Sequence, residues 1–227
     1  MTCHKIFLVI SVMLAVSSLV KAVDFSVVDN TGDSAGGRRF RGEIGGVSYG
    51  TQSLRSATDF VWRLFQQTNN PSDRRDVAQI TLFMENGNGV AYNTNSGREI
   101  HFNAGYLAGF SGEVKREFTG VIYHEVVHSW QWNGPGGLIE GIADYVRLKA
   151  GYAPGHWVGP GGGDRWDQGY DVTARFLEYC NDLRNGFVAE LNKKMRNGYS
   201  DSFFVDLLGK DVNQLWREYK AIWSVNS

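Results

Sequence analysis

The feature that most constrains this chain is a His-Glu-x-x-His pattern formed by His124, Glu125 and His128. The two histidines are four residues apart, and residues at that spacing lie on one face of an α-helix. Two neutral imidazole nitrogens on one face can bind a single zinc ion, which takes three protein ligands in catalytic sites. The glutamate is placed to accept a proton from an attacking water molecule. The pattern therefore predicts a helix, one Zn²⁺ and hydrolytic chemistry.

A third metal ligand is expected on the helix that follows. Residues 133–137 read as a break, and residues 138–151 have helical periodicity. Glu140 and Asp144 are four residues apart on this segment, among apolar residues that are unusual on a solvent-exposed face. We predict Glu140 as the third ligand and Asp144 as the acceptor of the second N–H of a liganding imidazole. The reverse assignment of these two carboxylates remains open from the sequence.

The first 22 residues have the features of a secretory signal peptide. Lys5 gives a positive start, an apolar run follows, and Val20 and Ala22 occupy small-residue positions before a cut at Val23. The run is shorter than the roughly 20 residues that span a bilayer. We therefore expect a secreted protein whose single domain covers residues 23–227, with no membrane segment in the mature form.

The charge balance of the mature chain restricts its partners. Removing Lys5 and Lys21 from 23 basic residues leaves 21, against 24 acidic residues. Nucleic acids and anionic membranes require clustered lysine and arginine, so neither is expected as a partner. A protein or peptide substrate is expected instead. No feature indicates an oligomer interface, and a monomer is the expected state.

The periodicity predicts an α+β fold with strands first and helices later. Residues 23–111 are expected to be β-rich, with strands over 23–30, 37–48 and 77–86, a hairpin within 89–107, and one helix over 53–67. From residue 112 to 227 the period is helical, with later helices predicted over 170–183, 187–195 and 212–223. Such segregation of strands and helices is typical of the α+β class.

Part of the predicted hairpin is expected to bind substrate. Extended peptides add to an exposed sheet edge by main-chain pairing, and residues 89–93 or 99–103 are the candidate edges. His101 lies in the second of these. A lone histidine in a strand is more often a polar residue on a sheet surface than a metal ligand, so His101 is not expected to bind metal.

Several segments together resemble the plant basic secretory protein family, a peptidase-like group of the zincin superfamily. The segments are HEVVHSWQW, GLIEGIADYVRLKAGYAP, WDQGYDVTARFLEYC and LLGKDVNQLWREYK. The resemblance implies a zincin-like fold, metallopeptidase activity, secretion to the plant apoplast and an association with defence. LIEGIADY also looks like the element that donates the third zinc ligand in gluzincins, which assigns that role to Glu140. Asp144, one turn later, matches the supporting acidic residue of thermolysin-like enzymes.

The chain departs from the gluzincin pattern at the residue that stabilises the oxyanion. Aminopeptidases of that group carry a tyrosine three residues before a glycine, and here Trp166 stands three before Gly169. Tyr170 is the predicted substitute, with His156 and Arg165 as alternatives. Because tryptophan has no hydroxyl group, a catalytically silent, defence-related binding protein on the same scaffold is the competing hypothesis. A second departure is the slightly acidic charge of the mature chain, in contrast to the family name.

Overall fold

A computed structural model describes residues 22–224 of the chain. The predicted signal peptide therefore lies outside the described residues, apart from Ala22 at its end. The described chain folds as a four-stranded sheet with helices, which confirms the α+β class. Among residues 22–224, no helix combines the length and the apolar character needed to cross a membrane.

The sheet is mixed and has strand order β1-β2-β4-β3. The strands are β1 (Asp24–Asp29), β2 (Gln79–Glu85), β3 (Ala91–Thr94) and β4 (Glu99–Asn103). β2 pairs in parallel with β1 and with β4, whereas β3 pairs antiparallel to β4. The predicted hairpin is thus confirmed, and β3 is an edge strand while β4 is paired on both sides.

Nine α-helices accompany the sheet in the described part of the chain. They are α1 (Ala35–Arg39), α2 (Gly46–Leu64), α3 (Ala104–Gly109), α4 (Val114–Trp130), α5 (Gly136–Lys149), α6 (Tyr170–Leu183), α7 (Phe187–Lys194), α8 (Ser202–Leu208) and α9 (Val212–Ser224). The predicted helix over 170–183 matches α6 at both ends. The predicted helices over 187–195 and 212–223 match α7 and α9 to within a residue at each end.

The core lies between one face of the sheet and the central helices. Ile80, Leu82 and Met84 alternate along β2 and are all fully buried, as expected for a strand with one covered face. α2 packs against β1 and against α4, and α4 packs against α5. Gly50 permits the close approach of α2, since a Cβ there would lie 3.2 Å from Val27 and 3.6 Å from Leu82. α4 is therefore held between the sheet side of the molecule and α5.

The strand predicted over residues 37–48 is wrong. This segment forms the end of α1, a π-helical turn over Phe40–Ile44 and the start of α2. Phe40 and Ile44 are fully buried, whereas Gly42 between them is exposed. All three would share one face of a strand, so this burial pattern is that of a helical face. A Cβ at Gly36 would lie 1.8 Å from the backbone oxygen of Ala104, so α1 packs directly on the backbone of α3.

The N-terminal half is accordingly more helical than predicted. The expectation of one helix in residues 23–111 is wrong, because α1 and α3 lie there in addition to α2. The strand prediction for 98–107 fails after Asn103, whose side chain accepts a hydrogen bond from the Gly105 N–H at 2.9 Å and begins α3. Asparagine at that position is a helix N-cap, which is the signal that periodicity alone overlooked.

Candidate metal centre and active site

α4 contains the complete His-Glu-x-x-His pattern, and α5 supplies the two predicted carboxylates. α5 is fixed from its other side by α6. A Cβ at Gly141 would lie 2.2 Å from Thr173 of α6, and one at Gly137 would lie 1.9 Å from the backbone oxygen of Asp167. Glycine at both positions lets α5 approach α6 and the segment before it closely, so α5 packs against α4 on one face and against α6 on the other.

Three predicted ligands converge at the contact between α4 and α5. The Nε2 atoms of His124 and His128 are 3.3 Å apart. The Oε2 of Glu140 lies 3.1 Å from Nε2 of His124 and 3.7 Å from Nε2 of His128. One donor atom from each of the three residues lies within 4.8 Å of the others. His124, His128 and Glu140 thus form a group that could bind a metal ion.

The second ring nitrogen of each histidine also has a partner. Nδ1 of His124 lies 2.7 Å from Oδ1 of Asp144, which is buried. Nδ1 of His128 lies 2.6 Å from the side-chain amide nitrogen of Gln131, also buried. Asp144 therefore faces Nδ1 of His124, which points away from the three converging donor atoms. Glu140 faces Nε2 of His124, which is one of those atoms. This geometry favours Glu140 over Asp144 as the ligand.

The carboxylates control the charge of the buried His124 ring. Burial opposes protonation of this ring, but hydrogen bonds to Asp144 and Glu140 outweigh it and raise the pKa of His124 to about 10. Burial likewise opposes ionisation of Glu140, yet hydrogen bonds to His124 and His128 hold the pKa of its carboxyl well below the usual range. The centre is therefore an anionic environment that favours a cation among its donor atoms.

Glu125 is held by an amide from the edge strand. Nδ2 of Asn93, on β3, donates to Oε2 of Glu125 at 2.5 Å and to its backbone oxygen at 3.1 Å. Both partners are acceptors, so the amide nitrogen must be the atom that faces them. Glu125 is buried, and it lines the same cavity as the two histidines. β3 therefore fixes the carboxylate beside the metal-binding group.

Tyr170 stands at the N-terminus of α6 and beside the centre. Its ring stacks on the ring of His124 with centroids 6.1 Å apart, and it is 56% exposed. Its φ of 47° is uncommon for a residue other than glycine, and such strained positions cluster at functional sites. Burial, followed by the carboxylates Glu140, Asp144 and Glu125, raises the pKa of Tyr170, so its phenol keeps its proton at neutral pH.

The other oxyanion candidates have different surroundings. His156 lines the cavity, as does Tyr170. Arg165 is exposed, pairs with Asp167 at 3.4 Å and is not among the residues that line the cavity. Trp166 is largely buried and packs its ring on Phe176 and Phe204, which places it in the core between helices. Of the candidates named from the sequence, Tyr170 and His156 share the cavity with the metal-binding group.

The cavity is bordered by the edge strand, and it is large enough for a peptide segment. Its volume is about 920 Å³, and residues 89–93 line it together with Glu125 and the histidines. Of the two segments predicted as substrate-binding edges, residues 89–93 include most of β3, which has one unpaired edge. Residues 99–103 form β4, which is paired on both sides. An extended peptide could therefore pair with β3 and lie beside the centre.

His101 is not among the residues that line the cavity, and it lies on the less buried face of β4. Its ring is stacked between Phe83 and Tyr92, with centroid distances of 5.0 Å and 4.8 Å. Nδ1 lies 2.9 Å from Glu85 and Nε2 lies 3.1 Å from the Thr94 hydroxyl. These contacts agree with a sheet-surface histidine, as expected from the sequence.

Two residues of the centre were not identified from the sequence. Gln131 follows His128 by three residues, and that helical spacing was a usable signal for a partner of its ring. Asn93 had no such signal, because its contact with Glu125 joins residues 32 positions apart across the strand–helix contact. Only the packing of β3 on α4 reveals it.

Comparison with known proteins finds a peptidase family. A sequence model of the family described as "BSP: Peptidase of plants and bacteria" matches residues 20–219. A curated relative, the "Basic secretory protease" of Boswellia serrata, is 49% identical over 61 residues, which is 27% of this chain and 70% of the relative. No solved structure matches the chain significantly. The matched range includes every element that builds the centre.

Proposed function

Because this chain belongs to the family of peptidases of plants and bacteria, we propose that it is a secreted zinc metallopeptidase that hydrolyses peptide bonds. Family membership and the name of the Boswellia serrata relative support a protease-like role. The observation that carries the zinc mechanism is the convergence of His124, His128 and Glu140, with Glu125 beside them in one cavity. Residues 23–227 form the metallopeptidase domain in this proposal.

The donor set fits zinc. Two imidazole nitrogens and one carboxylate oxygen are the ligands of many catalytic zinc sites, which keep a further position open. The carboxylate of Asp144 on Nδ1 of His124 leaves Nε2 available, and such an acceptor behind a liganding histidine is general in zinc proteins. A zinc ion held here would polarise the scissile carbonyl group and lower the pKa of a water molecule.

Glu125 is the proposed general base. Its carboxylate is fixed by the amide of Asn93, and its neighbour in sequence, His124, is a proposed ligand. It accepts a proton from the attacking water and passes that proton to the departing amine as the peptide bond breaks. A positioned acid–base group of this kind contributes typically 10²–10⁴-fold in rate.

Tyr170 is the proposed donor to the developing oxyanion. Its protonated phenol lies in the same cavity, and its ring is stacked on that of His124 with centroids 6.1 Å apart. A preorganised hydrogen bond to charge that appears only in the transition state contributes a few kcal/mol. His156, which also lines the cavity, is the remaining alternative for this role.

The experiment that tests the proposal compares wild type with Glu125→Gln on a denatured protein substrate, with and without a zinc chelator. We expect cleavage by wild type, loss of cleavage with the chelator, and loss in Glu125→Gln, which lacks the basic carboxylate. Glu113→Gln is the matched control, since Glu113 precedes the same helix, is exposed, and lines no part of the cavity.

The outcomes separate the two functional hypotheses. Zinc content near one per chain in both Glu variants, with activity lost only in Glu125→Gln, would support general-base catalysis. Full turnover by Glu125→Gln would refute this role for Glu125. Stoichiometric zinc without turnover by wild type on any protein substrate would instead favour a silent binding protein on the same scaffold.

A further inference from the structure

The cavity extends beyond the metal-binding group along α4 and α5. Glu117 and Val121 precede His124 on one face of α4 by seven and three residues, and Arg147 follows Asp144 on α5 by three residues. All of them line the cavity. At a rise of 1.5 Å per residue, Glu117 lies roughly 10 Å from His124 along α4. We call the part of the cavity lined by Tyr106, Glu117, Val121, Arg147, Pro154 and Trp157 the recess.

An ordered polar cluster forms the base of the recess. Nη2 of Arg147 donates to Oε2 of Glu117 at 2.8 Å, and the Tyr106 hydroxyl donates to Oε1 of Glu117 at 2.8 Å. The side chains of Glu117 and Arg147 are each 9% exposed. Burial, followed by the hydrogen bond to Glu117, raises the pKa of Tyr106 to about 12, so the phenol remains a donor.

The guanidinium of Arg147 is positioned by a glycine and a carbonyl group. Its Nε donates to the backbone oxygen of Tyr152 at 3.1 Å. A Cβ at Gly120 would lie 2.8 Å from that Nε, so glycine on α4 makes room for the arginine. The ring of Trp157 lies 5.5 Å from the guanidinium carbon. These contacts fix the plane of the guanidinium.

One end of this guanidinium remains available to a ligand. Among residues 22–224, Nε and Nη2 of Arg147 have hydrogen-bond partners, whereas Nη1 has none and is not sealed from solvent. Nη1 carries two N–H groups and no acceptor. A group that binds here must therefore present a hydrogen-bond acceptor.

The charges that line the cavity disfavour an acidic occupant. Five carboxylates line it, from Glu117, Glu125, Glu140, Asp144 and Asp171, against the single guanidinium of Arg147. The excess of negative charge remains when a divalent cation at the three ligands is counted, so an acidic side chain is repelled. A lysine or arginine side chain is not repelled by this lining, but it offers only donors and so cannot pair with the N–H groups of Nη1.

We propose that the recess binds a substrate side chain next to the scissile bond, and that it selects a long, uncharged side chain with a terminal acceptor, namely glutamine or tyrosine. This inference rests on the proposed peptidase function and deepens it. Tyr106, Val121 and Trp157 contact the apolar part of the side chain, and Nη1 of Arg147 donates to its terminal oxygen. Arg147 is thus a specificity-determining residue.

The test uses fluorogenic peptides that differ only in one residue flanking the cleaved bond, which is glutamine, tyrosine, leucine, alanine, glutamate or lysine. We expect wild-type kcat/KM to be highest for glutamine or tyrosine and at least about tenfold lower for glutamate and lysine. In Arg147→Lys, which keeps the positive charge opposite Glu117, the ratio of glutamine to leucine should fall by about 10–100-fold, the range of one hydrogen bond that involves a charged group. Arg55→Lys, on the exposed side of α2, is the control and should leave this ratio unchanged.

A second variant and a binding measurement keep the test decisive. Val121→Phe fills the recess and should lower kcat/KM for glutamine and tyrosine relative to alanine. Calorimetric affinities of the same peptides for zinc-loaded Glu125→Gln should follow the same order as the wild-type rates.

Cleavage with no preference among the uncharged residues would overturn the recess proposal and leave the peptidase proposal intact. Selective binding without any cleavage would overturn the peptidase proposal and keep the recess, and neither cleavage nor selective binding would overturn both.

Discussion

The contact between Asp144 and His124 gives a quantitative prediction about metal binding. Oδ1 of Asp144 lies 2.7 Å from Nδ1 of His124, and the side chains are 4% and 10% exposed. In the proposed zinc form, Nδ1 of His124 carries a proton and donates a hydrogen bond to the Asp144 carboxylate. This hydrogen bond orients the imidazole ring and makes its Nε2 more basic. Asp144→Asn keeps the size of the side chain but removes the negative charge.

The expected loss follows from the kind of hydrogen bond that is weakened. A hydrogen bond to a charged group contributes about 1.5–3 kcal/mol when it is shielded from water. Loss of such a partner behind a liganding histidine lowers metal affinity by about 10–100-fold. Since each factor of ten corresponds to about 1.4 kcal/mol, the two magnitudes agree. We therefore expect Asp144→Asn to raise the zinc dissociation constant by about 10–100-fold.

The assay is competition for zinc with a chromophoric chelator at neutral pH, for wild type, Asp144→Asn and Asp182→Asn. Asp182 is an exposed aspartate of α6 that does not line the cavity, and its variant should bind zinc as wild type does. Circular dichroism of each protein would show that the fold is retained. An Asp144→Asn protein that folds and binds zinc with unchanged affinity would refute the role assigned to this carboxylate.

Two further substitutions test the positioning of the base and the packing of α5. Asn93→Ala removes the hydrogen-bond donor to Glu125. Because hydrogen bonds to charged groups contribute about 1.5–3 kcal/mol, we expect kcat to fall by about 10–100-fold. An unchanged kcat in steady-state kinetics, at unchanged zinc affinity, would contradict the positioning role of Asn93. Gly141→Ala adds a methyl group that would meet Thr173, and urea denaturation should show a loss of about 1–3 kcal/mol in the free energy of unfolding. Gly136→Ala, where a Cβ meets nothing within 4 Å, is the control, and equal stability of the two variants would count against close α5–α6 packing.

The three helices whose ends were predicted within a residue have a consistent hydrophobic period. α6, α7 and α9 carry buried residues at helical spacing along their length, and their ends lie within a residue of the predicted ones. The strand prediction for residues 37–48 failed because α1 is short and its glycines serve close packing, Gly36 against Ala104 of α3 and Gly37 against Thr31, a purpose that periodicity does not encode. Short elements are decided by their tertiary neighbours, since their own propensities are weak.

For the candidate centre, the sequence by itself determined which side chains share a helical face. Two histidines four residues apart, with a glutamate between them, specify a shared face of one helix. Two carboxylates at the same spacing specify a shared face of the next helix. Those local spacings do not depend on the rest of the fold. This is why His124, Glu125, His128, Glu140 and Asp144 could all be named before their positions were known.

Only the tertiary structure decided which groups meet across elements. The 3.1 Å approach of Glu140 to His124, the partnership of Asp144 with the opposite ring nitrogen, and the amide of Asn93 on Glu125 all join separate elements. The recess also arises in this way, because Glu117 and Arg147 lie 30 residues apart and meet only when α5 packs on α4. Local spacing fixes the face on which a side chain lies, whereas the distance between two faces depends on the packing of the whole core.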